Sequence, residues 1–153
     1  MKLSKKGEYA LRALIDLAMN ADRGVAQAHD IARQENIPVK FLEQILLALK
    51  NAGLLQSRRG VGGGYVLTRP PDQITLGEVI RLIEGPIAPI GCASQAAPER
   101  CSCPDEVTCG LRSVMLDVRD AISDIVDRIT LADVCERTKE LQSQKAEILT
   151  YRI

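Results

Sequence analysis

Residues 37–71, IPVKFLEQILLALKNAGLLQSRRGVGGGYVLTRPP, decide the fold, because a helical pattern and a hairpin pattern follow each other here. Pro38 suits a first helical position, and the apolar residues after it recur at helical spacing. This inward stripe consists of Phe41, Leu42, Ile45, Leu46 and Leu49. After a stop at residues 51–53, two β-prone runs at 54–57 and 65–68 flank a glycine cluster. Glycine supplies the positive φ angles that a hairpin turn needs, so the pattern predicts a β-hairpin.

Two further helical patterns precede this stretch. Residues 4–19 form an amphipathic pattern behind Ser4, a good N-cap, and residues 28–34 form a shorter one. A turn at residues 35–37 joins the second helix to the third. Helix, helix-turn-helix and glycine-tipped hairpin stand in the order of a winged helix-turn-helix domain, to which we assign residues 1–72. The fold class is therefore mainly α with a small β-hairpin wing.

The second half of the chain predicts a linking helix, a loop and a long helix. A capping box opens a helix within the linking segment 73–90, and the cysteine-rich loop 91–108 follows. Apolar residues then recur every three or four positions at Leu111, Val114, Met115, Val118, Ala121, Ile122, Ile125 and Ile129. A stripe of this length favours a dimerisation helix over an intramolecular core face. We assign 109–140 to this helix and a short C-terminal helix, and the tail 141–153 is too weakly periodic to predict.

Composition restricts the core and the location of the protein. The 153 residues include three tyrosines, one phenylalanine and no tryptophan, so an aliphatic, helical core is expected. The N-terminal MKLSKK resembles the start of a signal peptide, but Glu8, Arg12 and Asp16 interrupt the apolar run that would have to follow. No stretch of the sequence reaches transmembrane length. We therefore expect a cytoplasmic protein with no membrane partner.

The zero net charge hides an asymmetry between the two halves of the chain. Residues 1–70 carry 11 Lys or Arg against 6 Asp or Glu, a net charge of +5. Residues 71–153 carry 9 against 14, a net charge of −5. The first half suits a polyanionic partner, although a surplus of this size also fits a solvated surface.

Candidate DNA-reading residues lie on the third helix and in the wing. The second helix of a helix-turn-helix pair enters the major groove by its N-terminal end, where Lys40 suits a phosphate, Glu43 a cytosine and Gln44 an adenine. The alternative is that these side chains form only the solvent face of an amphipathic helix. Arg58 and Arg59 favour the first interpretation, because a glycine-rich ribbon can bring guanidinium groups to phosphates or minor-groove edges.

Enzymatic functions find little support in the sequence. The glycine cluster 60–64 lacks G-x-G-x-x-G spacing and no helix opens directly after it, so we exclude a nucleotide loop. No Ser-His-Asp or Cys-His arrangement is evident, since the only histidine, His29, falls in the helix-turn-helix region. We expect no enzyme and no small-molecule substrate. A protein-interaction module remains an alternative, and it would show no salt-dependent affinity for DNA.

Four of the five cysteines, Cys92, Cys101, Cys103 and Cys109, crowd into one loop with the spacing C-x8-C-x-C-x5-C. In a reducing compartment, clustered cysteines are more often metal-binding or redox-active than structural. Thiolates hold iron-sulfur clusters, and a flexible loop can wrap one. Two alternatives stay open, namely a zinc site, despite spacing unlike paired C-x2-C knuckles, and free thiols that form a regulatory disulfide. Cys135 is most simply a packing residue.

Several segments in this order resemble the IscR- and NsrR-type family of bacterial winged-helix transcription regulators. They are MKLSKKGEYALRALIDLA, IPVKFLEQIL, RGVGGGY, the cysteine loop and DRITLADV, within residues 1–136. The resemblance implies a homodimeric repressor that binds a pseudo-palindromic double-stranded DNA operator and senses iron-sulfur status, nitric oxide or redox stress. It carries DNA contact over to the reading-helix and wing positions Phe41, Glu43, Gln44, Arg59, Gly63, Gly64 and Tyr65.

The same resemblance implies a metal site on the loop. Cys92 matches the first ligand of the family, and Cys103 and Cys109 match its closing C-x5-C pair. A histidine that some members use as a ligand is replaced by Arg112, so Cys101, or Glu8 from across the dimer, is the expected fourth ligand. The implied cofactor is an iron-sulfur cluster of the 2Fe-2S type.

Overall fold

The computed structural model describes residues 2–150, within which six helices and one antiparallel hairpin form the fold. The elements are α1 (Lys5–Met19), α2 (Ala28–Glu35), α3 (Val39–Asn51), β1 (Leu55–Arg58), β2 (Gly64–Leu67), α4 (Leu76–Glu84), α5 (Gly110–Arg128) and α6 (Leu131–Thr150). The predicted fold class, mainly α with a β-hairpin wing, is confirmed. Among the described helices, none is both long enough and apolar enough to cross a membrane.

Side-chain caps define where three of the helices begin. The Thr75 hydroxyl accepts a hydrogen bond from the Glu78 N–H at 3.2 Å, and Ser4 does the same for the N–H three residues on at 3.1 Å. At the start of α6, Thr130 and Asp133 cap each other's main-chain N–H groups at 3.2 and 2.7 Å. Each contact satisfies an N–H that lacks a partner within the helix, so these boundaries follow from local sequence.

One aliphatic core joins α1 to α4, the hairpin and the start of α6. Its largest fully buried side chains are Leu14, Ile31, Leu42, Ile45, Leu46, Leu49, Leu54, Ile74, Val79 and Leu131. Burial of each such side chain contributes about 1.5–3 kcal/mol to folding. Leu131 packs α6 against this core, and its main-chain N–H donates a hydrogen bond to the carbonyl oxygen of Ile74 at 2.9 Å. The linking segment before α4 therefore contributes to the same core as α1, α2 and α3.

Backbone geometry constrains the glycine-rich hairpin at its tip and along the outer edge of β2. At the tip, Gly60 and Gly62 adopt φ angles of 98° and 77°, which side-chain-bearing residues rarely adopt. Next to the turn, Tyr65 of β2 exchanges two main-chain hydrogen bonds with Ala26, at 2.8 and 3.0 Å. A methyl group at Gly64 would overlap the main-chain oxygen of Ala26. The glycines thus serve both the turn and a close backbone approach.

The last helix extends beyond the predicted short C-terminal helix. α6 continues through the first ten residues of the tail 141–153, and residues 151–153 lie outside the described part of the chain. Residues 139–148 are all exposed. This exposure agrees with the weak helical periodicity of apolar residues in this part of the sequence.

The close approach at Gly64 predicts a specific loss of stability. We expect Gly64→Ala to lower the free energy of unfolding by about 1–3 kcal/mol, because the new methyl group must displace Ala26 backbone. Denaturant unfolding measures the difference. The matched control is Gly110→Ala, where a methyl group meets open space at the start of α5 and should leave stability unchanged or slightly higher. Equal stability of the two variants would contradict this account of the hairpin.

Candidate nucleic-acid interface and cysteine loop

The burial of one face of α3 determines which of its side chains meet solvent. Its inward residues Leu42, Ile45, Leu46 and Leu49 are completely buried. Since a helix turns 100° per residue, Lys40, Glu43 and Gln44 are directed outward, and all three are exposed. The structure thus brings these three predicted reading residues together on the N-terminal half of one helix face.

Phe41, also predicted to contact DNA, is half-buried and lies against α1. Its ring meets the ring of Tyr9 edge to face, with centroids 5.7 Å apart and planes at 74°. The Arg12 guanidinium lies over the Tyr9 ring, 5.5 Å from the ring centroid. This arrangement gives Phe41 a packing role in positioning the reading helix, and direct DNA contact by this residue stays a prediction.

A salt bridge between α1 and α2 supports the turn before α3. Nε of Arg12 donates to the Glu35 carboxylate at 3.1 Å, and the same guanidinium also contacts the main-chain oxygen of Glu35. Glu35 ends α2, and Asn36 follows with a left-handed φ of 51° that asparagine tolerates better than most residues. Contacts from Arg12 of α1 therefore stabilise the turn of the helix-turn-helix.

The wing presents its two arginines at the exposed end of the hairpin. Arg58 ends β1 and Arg59 begins the turn, and both are exposed. Gly63 is confined because a methyl group there would overlap the Arg58 carbonyl oxygen. Tyr65 is half-buried near the start of β2. The structure therefore accounts for the conformation of the predicted wing residues and leaves the arginines as its free cationic groups.

The loop brings the four predicted thiols into contact one after another. Side-chain contacts join Cys92 to Cys101, Cys101 to Cys103, and Cys103 to Cys109. Cys101 Sγ also accepts the Cys103 N–H at 3.2 Å. All four are free thiols. Across residues 2–150, however, no group of three or more His, Cys, Asp or Glu side chains is arranged to hold a metal ion.

Hydrogen bonding separates the acidities of two neighbouring thiols. The hydrogen bond from the Cys103 side chain lowers the pKa of Cys101, and the same contact raises the pKa of Cys103 to about 12. Desolvation raises the pKa of Cys92, with the neighbouring Cys101 adding to the effect. Cys101 therefore contacts two of the other loop thiols. It is the most acidic of Cys92, Cys101 and Cys103.

The two candidate fourth ligands differ in what they contact within one chain. Cys101 touches two of the other loop thiols. The Glu8 carboxylate instead pairs with Lys5 at 2.7 Å and with Arg12 at 3.5 Å. Its approach to the cysteines of a second subunit stays a prediction. His29 is exposed on α2, and Cys135 is buried beside α1, as expected of a packing residue.

The long helix α5 exposes its apolar stripe. Four of the predicted dimer residues, Leu111, Val114, Val118 and Ile125, are 39–60% exposed in the single chain. The one buried residue of α5 is Arg119. Sequence reasoning missed this arginine, and also the contact of Arg112 with the loop, because an arginine in an amphipathic pattern normally indicates the solvent face. No local signal distinguishes these two from the other arginines of the helix.

The reading helix, its wing and a long helix with an exposed apolar stripe define a winged-helix regulator of transcription. A family model described as Rrf2, iron-dependent transcriptional regulator, matches residues 3–137. The chain therefore belongs to the Rrf2 family of transcription regulators, which confirms the resemblance to IscR-type proteins and the expectation that it is not an enzyme.

Individual relatives agree with this assignment. The transcriptional regulator CymR of Bacillus subtilis is 38% identical over 138 residues, covering 90% of this chain and 92% of that protein. The structure of CymR, described as the global cysteine regulator of B. subtilis, is similar with a TM-score of 0.76 at 36% identity, covering 90% of this chain and 98% of that one. The structure of T. potens IscR has a TM-score of 0.75 at 32% identity, covering 93% and 91%.

Proposed function

We propose that this protein is a homodimeric repressor that binds a pseudo-palindromic DNA operator, with an affinity set by the state of the cysteine loop. The observation that carries the DNA-binding part is the position of the exposed N-terminal half of α3 beside an exposed, arginine-bearing wing. Their geometry suits a helix in the major groove and a ribbon along the phosphate backbone. The net charge of +5 on residues 1–70 supports the same partner.

The proposed contacts divide into two kinds. Glu43 and Gln44 read base edges, because a carboxylate accepts from cytosine and an amide can pair with adenine. Lys40, Arg58 and Arg59 neutralise phosphates, which carry no sequence information but fix the orientation of the domain. Phe41 and Tyr65 are half-buried, so their proposed role is to position the reading helix and the wing.

These contacts predict different effects of two sets of substitutions on DNA binding. Lys40→Ala and Arg59→Ala should each reduce the slope of log affinity against log salt by about 2, because each removes one phosphate contact from both subunits of the dimer. Gln44→Ala should relax base preference at one position of each half-site at a cost of about 1–3 kcal/mol. Fluorescence anisotropy with an operator duplex selected from random-sequence DNA measures both.

The matched control is Lys139→Ala, which removes an exposed cation from α6. It should leave the affinity and the salt dependence unchanged. Binding that does not weaken as salt rises would contradict DNA recognition and favour a protein-interaction module.

The proposed dimer forms through the exposed stripe of α5. Leu111, Val118 and Ile125 are spaced seven residues apart, so they lie along one line of the helix. Water contact with such a line is unfavourable, and a second copy of α5 would remove it. A dimer also places two reading helices on half-sites about 34–36 Å apart, one turn of DNA, which explains why we expect a pseudo-palindromic operator.

A charge placed in this stripe should separate the subunits. We expect Val118→Glu to convert the dimer to monomer and to reduce operator affinity at least tenfold, because a carboxylate in an apolar seam loses its hydration. Sedimentation velocity gives the oligomeric state. Ser113→Glu adds the same charge on a different face of α5 and should remain dimeric. A dimer that persists in Val118→Glu would show that the interface lies elsewhere.

The chemistry of the loop fits an iron-sulfur cluster, although its present arrangement does not enclose one. Thiolates are the usual ligands of such clusters, and Cys92, Cys101, Cys103 and Cys109 meet on a loop whose residues 95–105 are exposed apart from the half-buried Cys101. We propose Cys92, Cys103 and Cys109 as ligands, with Cys101 or the partner's carboxylate at position 8 as the fourth. A bound 2Fe-2S cluster would supply iron that responds to iron-sulfur status, nitric oxide or oxidants.

A metal-free thiol switch is the second candidate. The observation that favours it is the pairwise contact of the free thiols in a loop without a metal-holding group among the described residues. The similar structure of CymR is named as that of a global cysteine regulator, not of an iron-sulfur protein. In this case an oxidant would join two of the thiols as a disulfide and thereby change the loop.

Purification without oxygen distinguishes these candidates. A cluster predicts broad absorption near roughly 400 nm with comparable amounts of iron and sulfide, and Cys103→Ala should lose both while staying dimeric. Cys135→Ala, which changes the cysteine outside the loop, should keep them. Stoichiometric zinc would replace the proposal with a structural zinc site, and metal-free protein with a reversible disulfide would establish the thiol switch. A Cys103→Ala variant whose DNA affinity still follows the signal would contradict the cluster model, in which Cys103 is a ligand.

A further inference from the structure

Two arginines attach the helix α5 to its own chain. Arg119, 8% exposed, is the one residue of α5 that is buried. Its Nη1 donates to the carbonyl oxygen of Ala93 at 2.8 Å, and its Nε donates to the Asp120 carboxylate at 2.8 Å. Ala93 is itself completely buried. A guanidinium is costly to bury unless its hydrogen bonds are made, so this contact has a strict geometry.

Arg112 connects two of the thiol-bearing positions. Its Nε donates to the carbonyl oxygen of Cys92 at 3.2 Å, and its main-chain N–H points to Sγ of Cys109 at 3.5 Å. Cys109 is the N-cap of α5. One residue in the first turn of α5 therefore holds both ends of the cysteine loop.

The two arginines act on the same side of the helix. They are seven residues apart, close to two full turns, and they bind the adjacent carbonyls of Cys92 and Ala93. The loop thiols consequently fall into two classes. Cys92 and Cys109 form an inner pair attached to α5, whereas Cys101 and Cys103 form an outer pair within residues 95–108, with no contact to α5 in the hydrogen bonds of the described residues.

We propose that Arg112 and Arg119 are positioning residues that hold the inner thiols Cys92 and Cys109 against α5 and thereby couple the state of the loop to the dimerisation helix. The inference rests on the proposed function of the loop as the sensing element. Any ligand or bond that moves the inner thiols relative to α5 must strain these two arginine contacts. Because hydrogen bonds of this kind are directional, a displaced Cys92–Ala93 backbone changes the placement of α5, on which the distance between the two reading helices depends.

Alkylation of the reduced, metal-free protein tests the positioning directly. With N-ethylmaleimide and mass spectrometry of each cysteine, Arg112→Met should raise the rate at Cys92 about tenfold, the change expected for loss of one charged hydrogen bond. Cys109 should change less, because its sulfur accepts from a main-chain N–H that methionine keeps. The rate at exposed Cys103 should stay within about twofold of the unmodified protein. Arg112→Lys, which keeps a donor, should restore part of the protection.

The matched control is Arg128→Met on the same helix, where the side chain is 80% exposed and pairs only distantly with Asp124 at 3.9 Å. It should match the unmodified protein at every cysteine. Arg119→Met should increase hydrogen–deuterium exchange in residues 91–94 and alkylation at Cys92. If it fails to fold by circular dichroism, Arg112→Met alone decides the result. Equal rates in Arg112→Met and Arg128→Met would overturn the proposal.

A second measurement tests the coupling. Operator affinity is compared between metal-free protein and protein reconstituted with iron and sulfide, or treated with diamide to oxidise its thiols. Arg112→Met should keep the affinity of the reduced form within about twofold while losing most of the difference between the two states. A full difference in Arg112→Met would overturn the coupling. If the unmodified protein shows no difference, the sensing function fails, whereas the alkylation result still decides the positioning role.

Discussion

The structure depends on the burial of the aliphatic stripe of α3. Because Leu42, Ile45, Leu46 and Leu49 are completely removed from water, the helix has one permitted rotation about its axis. That rotation directs Lys40, Glu43 and Gln44 to solvent, and the chain leaves α3 through buried Leu54 and Leu55 into the wing. A stable core and an available reading face are therefore two consequences of the same packing.

The long helix α5 divides its contacts by chemical type. The line through Leu111, Val118 and Ile125 is apolar and exposed, and the neighbouring line through Arg112 and Arg119 meets its own chain. A bidentate salt bridge between Arg81 and Asp127, at 2.5 and 2.9 Å, adds a third polar attachment near the end of the helix. Apolar burial tolerates small sliding, but directional hydrogen bonds do not, so these polar contacts fix the position of α5 on its own chain more strictly than apolar packing would.

The cysteine loop is attached to α5 at its two ends and exposed in its middle. Cys92 and Cys109 lie at the two ends of the loop, and Cys101 and Cys103 lie between them. The Glu106 carboxylate accepts a hydrogen bond from the Cys101 N–H at 2.7 Å. The contact that lowers the pKa of Cys101 also raises that of Cys103, so two adjacent thiols differ in acidity. Both a cluster and a disulfide require sulfur atoms that can ionise and approach one another.

The sequence by itself determined the order and the type of the elements, because caps, helical periodicity and turn glycines are local signals. It also identified the four thiols, the wing arginines and the apolar stripe of α5. The tertiary structure decided the packing role of Phe41, the length of α6, the order of contacts among the thiols and the attachment of Arg112 and Arg119 to carbonyls 20 and 26 residues away. These features depend on how an aperiodic loop closes and on which helix faces meet, and neither is encoded in the spacing of residues along a single element.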